Sequence, residues 1–96
     1  MKILAIEKDV PGVSEADCIS HLKAEAARVW ELYQSGAIRE LYFRADVHSA
    51  VLVLECPDID TAKHIINSLP LVQERLIAFE IMPLVPYPGF SGLFSA

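Results

Sequence analysis

The chain lacks most of the features that announce a function. Basic residues are few: 8 Lys and Arg stand against 13 Asp and Glu, for a formal net charge of -5. Without a basic patch there is nothing to exchange counterions with a nucleic-acid backbone. No apolar run approaches the roughly 18 residues that cross a bilayer. The opening MKILAIEKDV carries one early Lys, but acidic residues interrupt it before a signal-peptide core forms. These absences predict a cytoplasmic protein that binds neither membrane nor nucleic acid. Cysteine is scarce. Cys18 and Cys56 are too far apart for a Cys-x-x-Cys motif and too few for a disulfide scaffold, so both read as buried free thiols. His21, His48 and His64 are scattered without metal-ligand spacing, and no metal site is assigned. A Gly-rich phosphate loop, a nucleophile elbow and a Ser-His-Asp set are all missing. There is no internal repeat. From Ile81 to Ala96 there is no charged side chain at all.

What is present is apolar. The 96 residues suffice for one domain, and 53% of them are hydrophobic. A domain this small buries only part of its apolar surface, so a second copy is the expected cover. The order of elements reads strand, helix, strand, strand, helix, strand, tail. KILAIEKDV is β-rich and stops at Pro11-Gly12. Ser14 and Asp17 make a near capping box that starts a helix running to about Gln34, with Gly36 as its C-terminal cap. IRELYFRAD and HSAVLVLE are joined too closely for a parallel crossover and form an antiparallel hairpin. Asp58 or Asp60 caps the next helix, where Ala62, Ile65, Ile66 and Leu69 follow helical spacing until Leu69-Pro70 ends it. RLIAFEIMPL is the last strand. This β-α-β-β-α-β order is the α+β ferredoxin-like plan, a four-stranded antiparallel sheet with both helices on one face. The other face would carry Tyr42, Arg44, one apolar row of AVLVLE and alternate residues of IAFEIM. Two such faces packed together give a dimeric α+β barrel. Residues 1–84 form the domain and 85–96 an extended arm, stiffened by Pro86 and Pro88 and carrying Tyr87, Phe90 and Phe94 as anchors for a second subunit.

On a helical wheel Cys18, Ile19, Leu22, Ala26, Val29, Trp30, Leu32 and Tyr33 share one apolar arc, and Glu25 falls inside it. Burial there raises a carboxyl pKa, which suits a general base near neutral pH. The alternatives are that Glu25 reaches solvent or pairs with His21, one turn earlier. Arg39, Arg44 and His48 cluster around the hairpin. Arg44, sharing a strand face with Tyr42, is either a clamp for a carboxylate or one half of an inter-subunit ion pair. His48 either donates to a carbonyl oxygen or shuttles a proton, or is an ordinary turn histidine. Trp30 and Tyr33 read as core, with pocket lining as the alternative. The facing of Glu80 stays open.

The stretch LKAEAARVWELYQSGAIRELYFRADVHSAVLVLE, the later Leu69-Pro70-Leu71 and FEIMPLVPY together resemble the muconolactone isomerase-like family of the dimeric α+β barrel proteins. The resemblance covers nearly the whole chain. It implies a cofactor-free isomerase that moves a proton within a carboxylated lactone or ring compound. Under that resemblance Glu25 is the base and His48 the oxyanion partner or second proton carrier. Arg44 anchors the substrate carboxylate, while Arg39, Tyr42, Trp30 and Tyr33 complete the binding site. The segment from Arg39 to His48 is about one residue longer than the family pattern, which predicts a bulge or shifted turn near Arg44. A non-catalytic module binding a small metabolite, a structural oligomer whose pocket is filled by side chains, and a cofactor-free monooxygenase of the same barrel type remain alternatives.

Overall fold

A computed structural model describes residues Met1–Ser95. The chain folds as β1 (Lys2–Asp9), α1 (Glu15–Cys18), a 3-10 turn (Ile19–His21), α2 (Leu22–Gln34), β2 (Ile38–Phe43), β3 (Ala50–Glu55), α3 (Ile59–Asn67), α4 (Pro70–Gln73), β4 (Ile77–Pro83) and a terminal 3-10 segment (Gly89–Phe94). The strands form one antiparallel sheet in the order β2-β3-β1-β4. This is the expected ferredoxin-like topology. No helix among the described residues is long and apolar enough to cross a membrane.

Period-two alternation decides the two faces. Ile3 and Ala5 of β1 pair with Leu54 and Leu52 of β3, and Ala5 pairs with Ile81 of β4. These side chains meet Leu32 of α2 and Ala62, Ile66 and Leu69 from the α3 end in a single core. Ile3, Ile38, Leu54 and Leu69 are fully enclosed, and each such side chain contributes roughly 1.5–3 kcal/mol relative to exposure. The alternate row holds Leu4, Ile6, Val51, Val53, Ala78 and Met82, all only partly covered. Glu80 pairs with Ile6 on this uncovered face, which fixes the facing the sequence left open.

Several local expectations change. The first helix is not continuous from Ser14 to Gln34. Ser14 N donates to Asp17 Oδ2 at 2.8 Å and starts α1, but a 3-10 turn at Ile19–His21 separates it from α2. Ser20 and His21 are weaker helix formers than the Ala-rich run that follows. The strand expected to reach Asp46 ends at Phe43, because Arg44 and Asp46 fold into a tight turn. Cys56 is buried as expected, whereas Cys18 is only partly so. Trp30 and Tyr33 are not core: they are 58% and 48% exposed, with ring centroids 6.2 Å apart. An unforeseen helix, α4, opens at Pro70. The irregularity expected near Arg44 lies instead at the start of β2, and the pairing from Leu41 to Phe43 is regular up to the turn. The register of β2 on β3 shifts between Ile38 and Glu40, around Arg39.

The arm leaves the body after Leu84, whose N–H donates to Lys2 O at 2.9 Å. Beyond it Val85, Tyr87, Phe90, Leu93 and Phe94 are all exposed. The radius of gyration, 15.8 Å, and the 60 Å long axis reflect this projection, since a compact chain of this length has a radius near ~12–13 Å. The arm is not a plain extended run. Tyr87 packs edge-on against Phe90 with centroids 5.1 Å apart, and Gly89–Phe94 curl into 3-10 turns. Ala96, the last residue of the expected arm, lies outside the described residues.

Gly36 closes α2 with φ of +83°, a conformation that L side chains resist. A Cβ there would meet only the Arg39 side chain at ordinary contact distance, so backbone strain alone should decide the cost. Gly36→Ala is expected to destabilise by about 1–2 kcal/mol, read from the urea midpoint at unchanged slope.

Candidate functional site

The site begins with a proline. Pro70 has no N–H and occupies the first turn of α4, where a missing donor costs nothing. The next residue, Leu71, therefore carries a free helix-end N–H in a half-enclosed place. Glu25 of α2 supplies the acceptor: Leu71 N donates to Glu25 Oε1 at 3.0 Å. The contact joins two helices 46 residues apart in sequence. It fixes one carboxylate oxygen and leaves Oε2 without a protein partner among the described residues.

Glu25 lines a cavity of about 620 Å³ between the helix layer and the sheet. Cys18, Leu22 and Val29 form one wall, and Leu41, Phe43, Leu52 and Phe79 the other. Burial pushes the Glu25 carboxyl above its ordinary value. The Leu71 N–H opposes that shift, and the charge of Glu7 adds to it. The Cys18 thiol is also pushed up, first by burial and then by Asp17, Glu7, Glu15 and Glu25. A shift in that direction disfavours the thiolate, the nucleophilic form.

His48 lines the same cavity. Its ring stacks on Phe43, with centroids 4.7 Å apart and planes at 19°. The remaining expected residues lie elsewhere. Arg44 does not line the cavity. Its Nε donates to Asp46 Oδ1 at 2.9 Å and its NH2 group to Oδ2, a two-point pair inside the exposed turn. Those bonds hold the Asp46 carboxyl below the usual carboxylate range. The shared strand face expected for Tyr42 and Arg44 ends at Phe43. Tyr42 borders the cavity, but its register opposite Val51 turns the side chain to the uncovered face, where its hydroxyl donates to Glu40 Oε1 at 2.8 Å. That bond raises the phenol pKa. Trp30, Tyr33 and Arg39 line an adjoining groove of about 590 Å³ with Glu40, and it shares Ala26, Val29, Leu41 and Tyr42 with the main cavity. Arg39 Nε donates to Gly36 O at 2.7 Å. His21 makes no contact with Glu25 in the hydrogen-bond network, which Leu71 satisfies instead.

Glu7 was not singled out by the sequence pattern, yet it lines the cavity. Ala50 N donates to Glu7 Oε1 at 3.1 Å, and the buried Ser49 hydroxyl donates to Glu7 O at 2.9 Å. One signal was available. Glu7 stands in phase with the apolar positions Ile3 and Ala5 of β1, a carboxylate on the row that faces the helices.

No protein-family model matches the chain, and no curated protein does. Solved structures do. Muconolactone isomerase superposes with a TM-score of 0.74 at 19% identity, over 92% of this chain and 92% of that one. A 5-chloro-2-hydroxyhydroquinone dehydrochlorinase from Burkholderia phenoliruptrix, solved with 2,5-dihydroxybenzoquinone, gives 0.70 at 19% identity over 93% and 98%. The class is therefore an α+β protein with a four-stranded antiparallel sheet. More narrowly, its fold is muconolactone isomerase-like. At this identity the likeness is one of fold.

The raised pKa of Glu25 has a stability consequence with a definite sign. The folded value lies above the unfolded one, so its favourable contribution belongs to the protonated form. That contribution is full below the unfolded value and is lost as pH rises through the folded one. Glu25→Gln keeps an acceptor for Leu71 N–H and removes the charge. It should raise the melting temperature at pH 7, by less than about 4 °C because the group is half exposed. The gain should vanish near pH 4. A gain confined to acid pH would mean that the ionised carboxylate stabilises the fold.

Proposed function

We propose that the chain is a small cofactor-free enzyme that transfers a proton on a ring or lactone compound held in the cavity between helices and sheet. The observation that carries this reading is the setting of Glu25. Its carboxyl is pinned through one oxygen, raised in pKa by burial, and open through the other oxygen to an apolar-walled cavity. A base for an acidic C–H needs this combination of fixed position and tuned affinity. His48, held against Phe43 on the same cavity, serves as donor to the oxyanion that develops when the proton leaves. Trp30, Tyr33 and Arg39 make an outer subsite in the adjoining groove, with Tyr42 on the rim. An open volume of about 620 Å³ weighs against a purely structural protein with its pocket filled by side chains.

The test is proton exchange itself. 5-Chloro-2-hydroxyhydroquinone, the compound in the name of one structural neighbour, is the first to incubate in deuterated buffer and follow by NMR, with muconolactone as the carboxylated comparison. Glu25→Gln should slow deuterium uptake or turnover by about 100-fold or more, with Glu25→Asp between the two. Undiminished turnover in Glu25→Gln removes it as the base. Turnover lost in Arg39→Gln but kept in Glu25→Gln would favour a site centred on Arg39.

The uncovered sheet face supports assembly as a homodimer through Leu4, Ile6, Val51, Val53 and Met82. Residues 85–96 form an arm that packs on a second copy, for which the exposed Tyr87, Phe90, Leu93 and Phe94 are the contacts. Deleting residues from Tyr87 onward should lower the solution mass measured by light scattering. An unchanged mass rejects the arm as an assembly element.

A further inference from the structure

The β1–β3 ladder ends at Ile6 and Val51. Past that point a side chain takes over from the backbone. Ala50 N donates to Glu7 Oε1, and the hydroxyl of Ser49, only 8% exposed, donates back to Glu7 O. Two bonds thus clamp Glu7 to the residues that follow His48. The other carboxylate oxygen, Oε2, has no protein partner among the described residues, and the residue lines the cavity. Across the same space Glu25 shows the same design, with Leu71 N on Oε1 and Oε2 free.

The remaining titratable groups on the cavity wall are Asp9 from β1, Glu15 and Cys18 from α1, Tyr42 at the rim from β2, and His48 from the β2–β3 turn. No Lys or Arg among the described residues lines it. Arg44 is paired with Asp46, and Arg39 lies in the adjoining groove beside Glu40. Lys8 pairs with Ala78 on the opposite face of the sheet. No three of the acidic, His or Cys side chains converge as a metal cluster among the described residues. The carboxylates act as a field of one sign over an apolar cavity, with two clamped acceptors inside it.

We propose that Glu7 is the specificity-determining residue of this cavity, which takes uncharged, hydroxyl-bearing rings and rejects carboxylates. The proposal narrows the substrate class of the site assigned above and rests on that assignment for its location. A ligand carboxylate entering here meets like charge and no cation to offset it. A ring hydroxyl meets carboxylate oxygens that only accept. Glu7 also acts on Glu25 as a positioning residue, since its charge adds to the burial that raises the Glu25 carboxyl pKa.

The test uses two probes matched in shape and different in charge, 4-hydroxybenzamide and 4-hydroxybenzoate, titrated into the full chain at pH 7.5 and followed by amide NMR shifts. The amide should bind at the cavity about tenfold or more tighter than the acid. Glu7→Gln keeps the Ala50 N–H bond and removes the charge, so it should shrink that ratio at least about threefold. It should also lower the Glu25 carboxyl titration, read by carbon NMR. Tighter or equal binding of the acid to the wild-type chain overturns the proposal without any variant. So does failure of the amide to bind, a ratio unmoved by Glu7→Gln, or an unmoved Glu25 titration. These are binding and titration readouts. A chain that binds the amide selectively but loses nothing in turnover on Glu25→Gln would refute the catalytic reading and leave the charge selection standing.

Discussion

One backbone donor ties the two halves of this chain together. Pro70 begins α4 without an N–H, so the first helix-end donor that needs a partner is Leu71 N. It finds Glu25 on α2, 46 residues earlier. An unmet donor in such a place costs roughly 1–3 kcal/mol, and the carboxylate removes that cost. In return the donor fixes the carboxylate. A glutamate on a free helix surface samples many rotamers. Here one oxygen is held, and the other is left at the cavity. The same bond also works against the burial that raises the Glu25 pKa, which moderates the shift without abolishing it.

The second constraint is that one helix layer covers only one side of a sheet that is apolar on both. Ile3, Ala5, Leu52 and Leu54 find the helices. Leu4, Ile6, Val51, Val53 and Met82 do not. Glu40, Glu55, Glu80 and Lys8 share that face, so its apolar row is interspersed with charge. The arm shows the same surplus in another form. Its aromatic residues partly satisfy one another, as Tyr87 does with Phe90, and the rest stay exposed.

The fold was legible because its signals are periodic. Alternation in β1, β3 and β4, helical spacing at Ala62, Ile65, Ile66 and Leu69, and stops at Gly36 and Pro57 together leave few arrangements for four strands and two helices. The site was legible only where a charge broke such a pattern. Glu25 interrupts an apolar arc and stood out. Glu7 breaks the β1 row equally, yet a short strand next to Lys8 and Asp9 reads as an ordinary polar end. Arg44 could not be placed from sequence, because its position depends on Asp46 two residues on. A two-residue carboxylate–guanidinium pair closes the turn and takes the cation out of the strand. Trp30 and Tyr33 fall within the apolar arc on the wheel, but they line an open groove beside β2 rather than the core. The helix at Pro70–Gln73 escaped notice because a proline that ends one helix is also a favoured first residue of the next.

The separation of Arg44 from the cavity bears on how a fold and its chemistry part company. The backbone that superposes on muconolactone isomerase at a TM-score of 0.74 positions a helix carboxylate and a turn histidine around one space. It says nothing about the sign of the walls. In this chain the two guanidiniums nearest the hairpin are each engaged by local partners, Arg39 with Gly36 O and Arg44 with Asp46. The acidic side chains, by contrast, are held by backbone N–H groups, which fix geometry but carry no full positive charge to cancel theirs. Residues bonded to backbone donors keep their electrostatic reach, while residues bonded to opposite charges lose it. Arg44 is cancelled by Asp46, while Arg39, bonded only to a backbone carbonyl, keeps its charge but stands in the adjoining groove and not on the cavity wall. The charges on the cavity wall itself are therefore acidic, and ligand choice follows from which charges are left uncancelled there.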